Sequence, residues 1–413
     1  MDLKYIRYNR FIINPFIIYS FTWLLVLLIY SLHWSLLCPT DLSYYKYFLL
    51  LTIFLSFVLG IVFYRHRVFS YKFDKGFKAI KIKKYNIILY LLFLLEVFIA
   101  KEIPILGYIR GNVNIKYTEF GLPFVHVIIA NGFVLICFCS FYSYLCSSSR
   151  KLKKTYLINM FFAIFPYVLM FNRGGLMYCF IGCLLIYLMQ CENLKRKIFY
   201  SALISLGILF GFGILGNLRT DVKGVSNIII QFGEATTEFQ NSPVPDEFFW
   251  PYIYISSPLA NAQLMMDKSD REFSINNFNK FIKYEMTPEL ISKRVLGGNL
   301  DEEDMDKILD AFNVASVYGM SAKYMGWLGP VFLYIFWIFF VIVTMGLIPK
   351  SSPFYVIGIT SVCLITIMNT FDNMFVFMGL IPQPLIIILS CYKFKLYGRN
   401  KNINMCSIIQ SRH

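Results

Sequence analysis

The chain is dominated by uninterrupted apolar runs, each close to the length that crosses a lipid bilayer. Ten can be marked out, at 11–32, 45–64, 85–100, 122–146, 155–171, 174–190, 198–216, 323–347, 353–370 and 374–391. A hydrocarbon core of roughly 30 Å takes about 20 helical residues. Strands of a membrane barrel alternate in polarity and are about half as long. A soluble fold is excluded by what lies between the runs. Only 15% of the 413 residues are charged and 57% are hydrophobic, whereas soluble domains carry about 25% charge. Too few polar residues remain to coat a core of this size. The expected fold is an all-α polytopic membrane protein with about ten transmembrane helices. Lys4, Arg7 and Arg10 precede the first run as in a signal peptide. That run continues to about Leu32 without a small-x-small cleavage site, which predicts an uncleaved first span.

Lys and Arg gather between alternate runs. The segment 65–84 holds Arg65, Arg67, Lys72, Lys75, Lys78, Lys81, Lys83 and Lys84. Further clusters are Arg150, Lys151, Lys153 and Lys154, then Lys195, Arg196 and Lys197, then Lys350, and finally the tail with Lys393, Lys395, Arg399 and Lys401. Because basic loops stay in the cytoplasm, this alternation predicts cytoplasmic N- and C-termini and an even number of spans. It divides the chain into helices one to seven (1–216), a large periplasmic loop (217–322), helices eight to ten (323–391) and a cytoplasmic tail (392–413). The loop has nine Lys and Arg against sixteen Asp and Glu, a net charge of −7, which leaves +22 on the rest. The overall +15 therefore follows membrane topology, and nucleic acid is not an expected partner. The loop contains no cysteine and has to fold without disulfides, while Cys137, Cys139, Cys146, Cys179, Cys183, Cys363 and Cys391 lie in or beside the runs. Within the loop, 228–239 reads as a helix lying on the membrane surface. The aromatic stretch 248–264 reads as helix broken by Pro251 and Pro258. Residues 301–312 read as a helix capped by Asn299 or Asp301.

Few residues offer chemistry. Arg173 stands at the expected outer start of the sixth run, followed by Gly174 and Gly175. A helix N-terminus with a guanidinium and close backbone access suits a phosphate or diphosphate. The other reading is an arginine anchored at the interface. Arg219 follows the seventh run and offers either a second clamp or a local pair with Asp221. Glu96 lies inside an apolar run, where an ionisable residue marks function by default, unless it pairs with Lys101 or Arg110. His126, one turn into the fourth span, is either a general base or a hydrogen-bonded helix residue. Asp304 and Asp306 have the spacing of a divalent-metal site, but an acidic first helical turn accounts for the whole run 301–306, and no metal or other cofactor is expected. Gly207, Gly211, Gly213 and Gly216 predict close helix packing. No phosphate-binding loop, dinucleotide fingerprint, zinc spacing or nucleophile elbow is present.

Five short segments in this order, with the large outer loop, resemble the Wzy family of O-antigen (oligosaccharide repeat-unit) polymerases. They are YTEFGLPFVH (117–126), NRGG (172–175), GNLR (216–219), YIYISSPLAN (252–261) and NVASVYGMSAKYMGWLG (313–329). Where the family's Gly-x-x-Gly follows an acidic residue, this chain has Tyr324 before Gly326 and Gly329. The resemblance implies a glycosyltransferase of the bacterial inner membrane that joins undecaprenyl-diphosphate-linked oligosaccharides into O-antigen or capsular polysaccharide. In that reading Arg173, Arg219, Gly174 and Gly175 bind the diphosphate without a metal. His126, Glu96 or a loop carboxylate is the base, and Trp250, Tyr252, Tyr254 and Asn261 contact sugar. Membrane lipids and a chain-length regulator are the implied partners. The O-antigen ligase shares topology and arginine chemistry. A flippase would spread charge through its spans and repeat its halves, and a scaffold would need no arginine at the mouth of a span.

Overall fold

The computed structural model describes residues 7–73, 82–109, 121–190, 193–220, 227–269, 274–294 and 305–392. The described chain is overwhelmingly helical, apart from one two-residue antiparallel pairing of Arg7–Tyr8 (β1) with Tyr71–Lys72 (β2). The helices of the bundle are α1 (Pro15–Tyr30), α2 (Ser43–Arg65), α3 (Ile82–Ala100), α4 (Pro104–Ile109), α5 (Pro123–Cys146), α6 (Arg150–Leu169), α7 (Arg173–Met189) and α8 (Leu194–Thr220). The short helices α9 (Ile228–Phe232) and α10 (Thr237–Gln240) follow, then the 19-residue α11 (Phe249–Asp267), then the short helices α12 (Ile275–Phe281), α13 (Glu289–Arg294) and α14 (Gly319–Met325). The chain then returns to the bundle with α15 (Leu328–Leu347), α16 (Tyr355–Met368) and α17 (Pro382–Tyr392).

Among the described residues, four helices are long and apolar enough to cross a membrane: α2, α5, α8 and α15. Their outward faces are unsuited to water. Leu51, Phe54 and Phe57 on α2, and Leu328, Ile335 and Phe339 on α15, are all exposed. An apolar belt of this size is a lipid-facing surface. Between the helices the contacts turn polar, as is usual where lipid gives no hydrophobic drive to association. Tyr19 of α1 bonds to Tyr318 Oη at 2.6 Å and to Thr52 of α2 at 3.1 Å. Trp337 of α15 donates to Thr366 of α16 at 3.0 Å. Asn14 both caps α1, accepting from Phe16 N, and donates to the Gly60 carbonyl of α2 at 2.9 Å.

The bundle has two distinct ends. At one, Lys350 reaches the Arg67 carbonyl, Ser352 touches Cys391, Tyr71 donates to the Met189 carbonyl, and β1 pairs with β2. This is the end where the basic linkers meet. At the other, the described parts of 227–327 cover the helix ends. The α1–α2 connection bridges to them through Ser35 and Ala235. Trp34 N donates to Tyr252 Oη, and Tyr45 Oη at the start of α2 meets Ser316 Oγ.

Several expected boundaries are revised. The run 323–347 is broken at Gly326, whose combination of φ +55° and ψ −138° is open to glycine alone. The run 353–370 gives a helix of only 14 residues, about 21 Å long. The run 374–391 is helical only from Pro382, because 369–381 is irregular backbone held by the covering segment. Ser316 N and Val317 N donate to the Phe371 and Asn369 carbonyls, and Glu289 N donates to that of Val376. The helix α11 runs straight through Pro251 and Pro258. The helix expected at 228–239 is split at Gly233, and 305–312 is not helical. The Gly207–Gly211 pair meets open space, while Gly213 and Gly216 admit Glu247 and Trp250.

Candidate functional site

Arg173 is the first residue of α7, behind an Asn172 cap whose Oδ1 accepts from Gly175 N at 2.9 Å. That cap takes one of the helix's terminal N–H groups. Gly175 serves packing, since the Tyr167 ring fills the space that a Cβ would need, whereas a Cβ at Gly174 would meet Asn172 and Tyr178 only at ordinary contact distance. The Arg173 guanidinium lies 5.3 Å from the centroid of the Phe212 ring on α8. Phe212 in turn stands edge-on to Tyr254 of α11 at 5.2 Å. Tyr254 is parallel to Phe371 at 6.1 Å and tilted on Trp250 at 6.0 Å. Four stretches remote in sequence thus build one cation-and-aromatic wall at the covered end of the bundle. Such a wall suits a ligand with an anionic part and an apolar or sugar face.

The other expected sugar contacts are placed differently. The indole N–H of Trp250 donates to Asn217 Oδ1 at 2.6 Å, and its ring lies on Gly216. Tyr252 is buried and its hydroxyl is engaged by Trp34 N. Asn261 is fully buried, donating to the Phe312 and Val314 carbonyls at 2.6 and 2.8 Å and accepting from Ile308 N at 2.8 Å. It pins the 305–314 backbone, and these bonds occupy its amide. Asn261→Leu is expected to lose roughly 2–4 kcal/mol of local stability, visible as faster proteolysis within 305–314. The side chain of Arg219 lies outside the described residues; its backbone continues α8.

Glu96 and His126 come together. His126 Nδ1 and Glu96 Oε2 are 3.2 Å apart, between the end of α3 and the start of α5. Glu96 is fully buried, and Gly121, with φ +75°, packs its backbone on the carboxyl group, where a Cβ would collide with it. Of the two alternative partners, Lys101 forms no ion pair with Glu96 among the described residues, and Arg110 lies outside them. A shallow depression of about 570 Å³, lined by Val97, Lys101, Ile103 and Leu106 among others, adjoins this end of α3.

A second ionisable group was not anticipated from the sequence. Glu285, in a short π-helical turn (Ile282–Met286), is buried against Asn373, whose Nδ2 donates to its carbonyl at 3.0 Å and its Oε2 at 2.9 Å. Burial, and then the neighbouring charge of Asp372, push its carboxyl up to about 8, against the pull of the Asn373 bond. Burial likewise raises Asp372 to about 6, with Glu289 adding to the shift. The sequence does carry a signal: Asp372 is the one charged residue between Lys350 and Lys393. Asp306, part of the acidic run, pairs with Lys268 at 2.9 Å and Lys323 at 3.2 Å, and these two cations outweigh burial and lower its carboxyl. Residues 301–304 lie outside the described residues.

No family model, no curated protein and no solved structure matches the chain.

Proposed function

We propose that the chain is a polymerase of lipid-diphosphate-linked oligosaccharides in a bacterial inner membrane, with about ten spans and the segment 227–327 on the periplasmic face. The single observation that carries this reading is the wall of Arg173, Phe212, Tyr254 and Phe371, formed where the covering segment meets the helix ends. The growing glycan is transferred from its carrier to the non-reducing end of a new carrier-linked unit. The carrier diphosphate departs, and a guanidinium placed at the leaving group neutralises the charge that develops on it. The aromatic faces offer stacking surfaces to the sugars beside the diphosphate, and the apolar belt leaves the prenyl tail in lipid. The net charge of −7 on the large loop and the basic linkers at the other end of the bundle support the orientation.

Deleting the gene and displaying surface lipopolysaccharide on a gel tests the reading. A polymerase is expected to leave core plus one repeat unit and no ladder. Bare core with accumulated carrier-linked polymer would instead identify a ligase. Bare core without polymer would identify a flippase, and an unchanged ladder would remove the protein from this chemistry.

A further inference from the structure

We propose that Glu96 and His126 act as a carboxylate–imidazole dyad in which His126 takes the proton of the acceptor hydroxyl and Glu96 holds the ring for it. The inference rests on the glycosyl-transfer reading above. Glu96 comes from α3 and His126 from α5, helices that pack along their length, so the pair sits on rigid elements. The carboxylate is fully buried, while the imidazole keeps 16% of its side-chain surface. That asymmetry is what a fixed orienting group and a reachable base require. With Nδ1 donating to Glu96 Oε2, Nε2 is the nitrogen that carries the lone pair. Glu96 Oε1 has no hydrogen-bond partner among the described residues. That oxygen lies under the Gly121 backbone, so Glu96 reaches the reaction only through His126.

The step balances. The acceptor O–H bond breaks and its proton passes to His126 Nε2. The acceptor oxygen forms a bond to the anomeric carbon of the growing chain. The bond from that carbon to the carrier diphosphate breaks, and the electron pair leaves with the diphosphate. The imidazolium, stabilised by Glu96, then returns its proton to solvent. Glu96 acts through His126 and is a positioning residue; His126 is the catalytic one.

Membrane vesicles from a deletion strain expressing wild type, His126→Ala, His126→Gln, Glu96→Gln and the Glu96→Gln/His126→Ala double variant provide the test. The strain's own carrier-linked oligosaccharide is the substrate, and rates are taken per inserted chain. His126→Ala and His126→Gln are expected to lower kcat about 10²–10³-fold with KM within about twofold. Glu96→Gln is expected to cost roughly tenfold in kcat, and the double variant to be no slower than His126→Ala alone. A His126 variant that keeps more than half of wild-type kcat would overturn the dyad, as would Glu96→Gln slowing the His126→Ala background as much as wild type. If wild-type vesicles form no polymer, the glycosyl-transfer reading fails and the dyad falls with it.

Discussion

Arg173→Ala is expected to abolish the polysaccharide ladder while the chain still inserts at wild-type levels. The guanidinium opens α7 and lies half-buried over Phe212 with Nη1 shielded from solvent, so the membrane blot has to show that the variant still folds and inserts. Removing one preorganised donor to a developing anion costs about 10²–10³ in rate. At that rate, chains longer than one or two repeats vanish from a gel. Arg173→Lys should recover little, because an ammonium neither grips a diphosphate bidentately nor lies flat on the Phe212 face. Polymer length distribution together with a quantitative membrane blot checks this. A normally inserted Arg173→Ala chain that polymerises as wild type does would remove the clamp. Phe212→Leu and Tyr254→Leu probe the rest of the wall, and a milder loss is expected of each, since stacking is worth about 1 kcal/mol.

Glu285→Gln is expected to stabilise the protein at alkaline pH. The carboxyl is buried, and its ordinary value of 4.5 rises to about 8 in the folded chain. Between these two values the folded state holds a proton that the unfolded state has released. Stability therefore falls as pH rises through that window, by up to about 1.4 kcal/mol per unit. It is level below about 4.5 and level again above about 8. Glutamine keeps the oxygen that accepts from Asn373 and cannot ionise. At pH 8.5 the variant should gain roughly 2–4 kcal/mol, and the slope above pH 6 should flatten. Asp372, raised to about 6 by burial, keeps a smaller slope below that. Thermal unfolding of the detergent-solubilised chain from pH 5 to pH 9 checks this. A variant with the wild-type slope would show that Glu285 ionises freely.

The apolar runs made the helices legible, because a stretch of apolar residues near bilayer thickness has few alternatives. What they left unreadable is where a run stops being helix. Residues 374–381 are as apolar as a span, yet their backbone bonds elsewhere, the Val376 carbonyl to Glu289 N of the covering segment and the Met378 carbonyl to Asn131 of α5. Composition does not separate a buried irregular segment from a helix; Pro382 alone marks the boundary. The helical period separates the aromatics of α11: Trp250 and Tyr254 are four apart and share a face, whereas Tyr252 lies on the opposite side. Glu96 and His126 were each visible as ionisable residues near span ends. Their meeting was not, since it depends on the register of α3 against α5, which no local pattern records. Phe212, Phe371 and Asn373 escaped notice because an aromatic or amide in or beside an apolar run acquires a role only from its partners in three dimensions, and Glu285 because one carboxylate does not stand out among the sixteen acids of its loop.

Reconstitution tests the central claim most directly. The purified chain in proteoliposomes, supplied with carrier-linked oligosaccharide as the only glycan and with a chelator present, is expected to yield a ladder of repeat-unit multiples. A single unreacted species, or product only after addition of a lipid A–core acceptor, would contradict a polymerase.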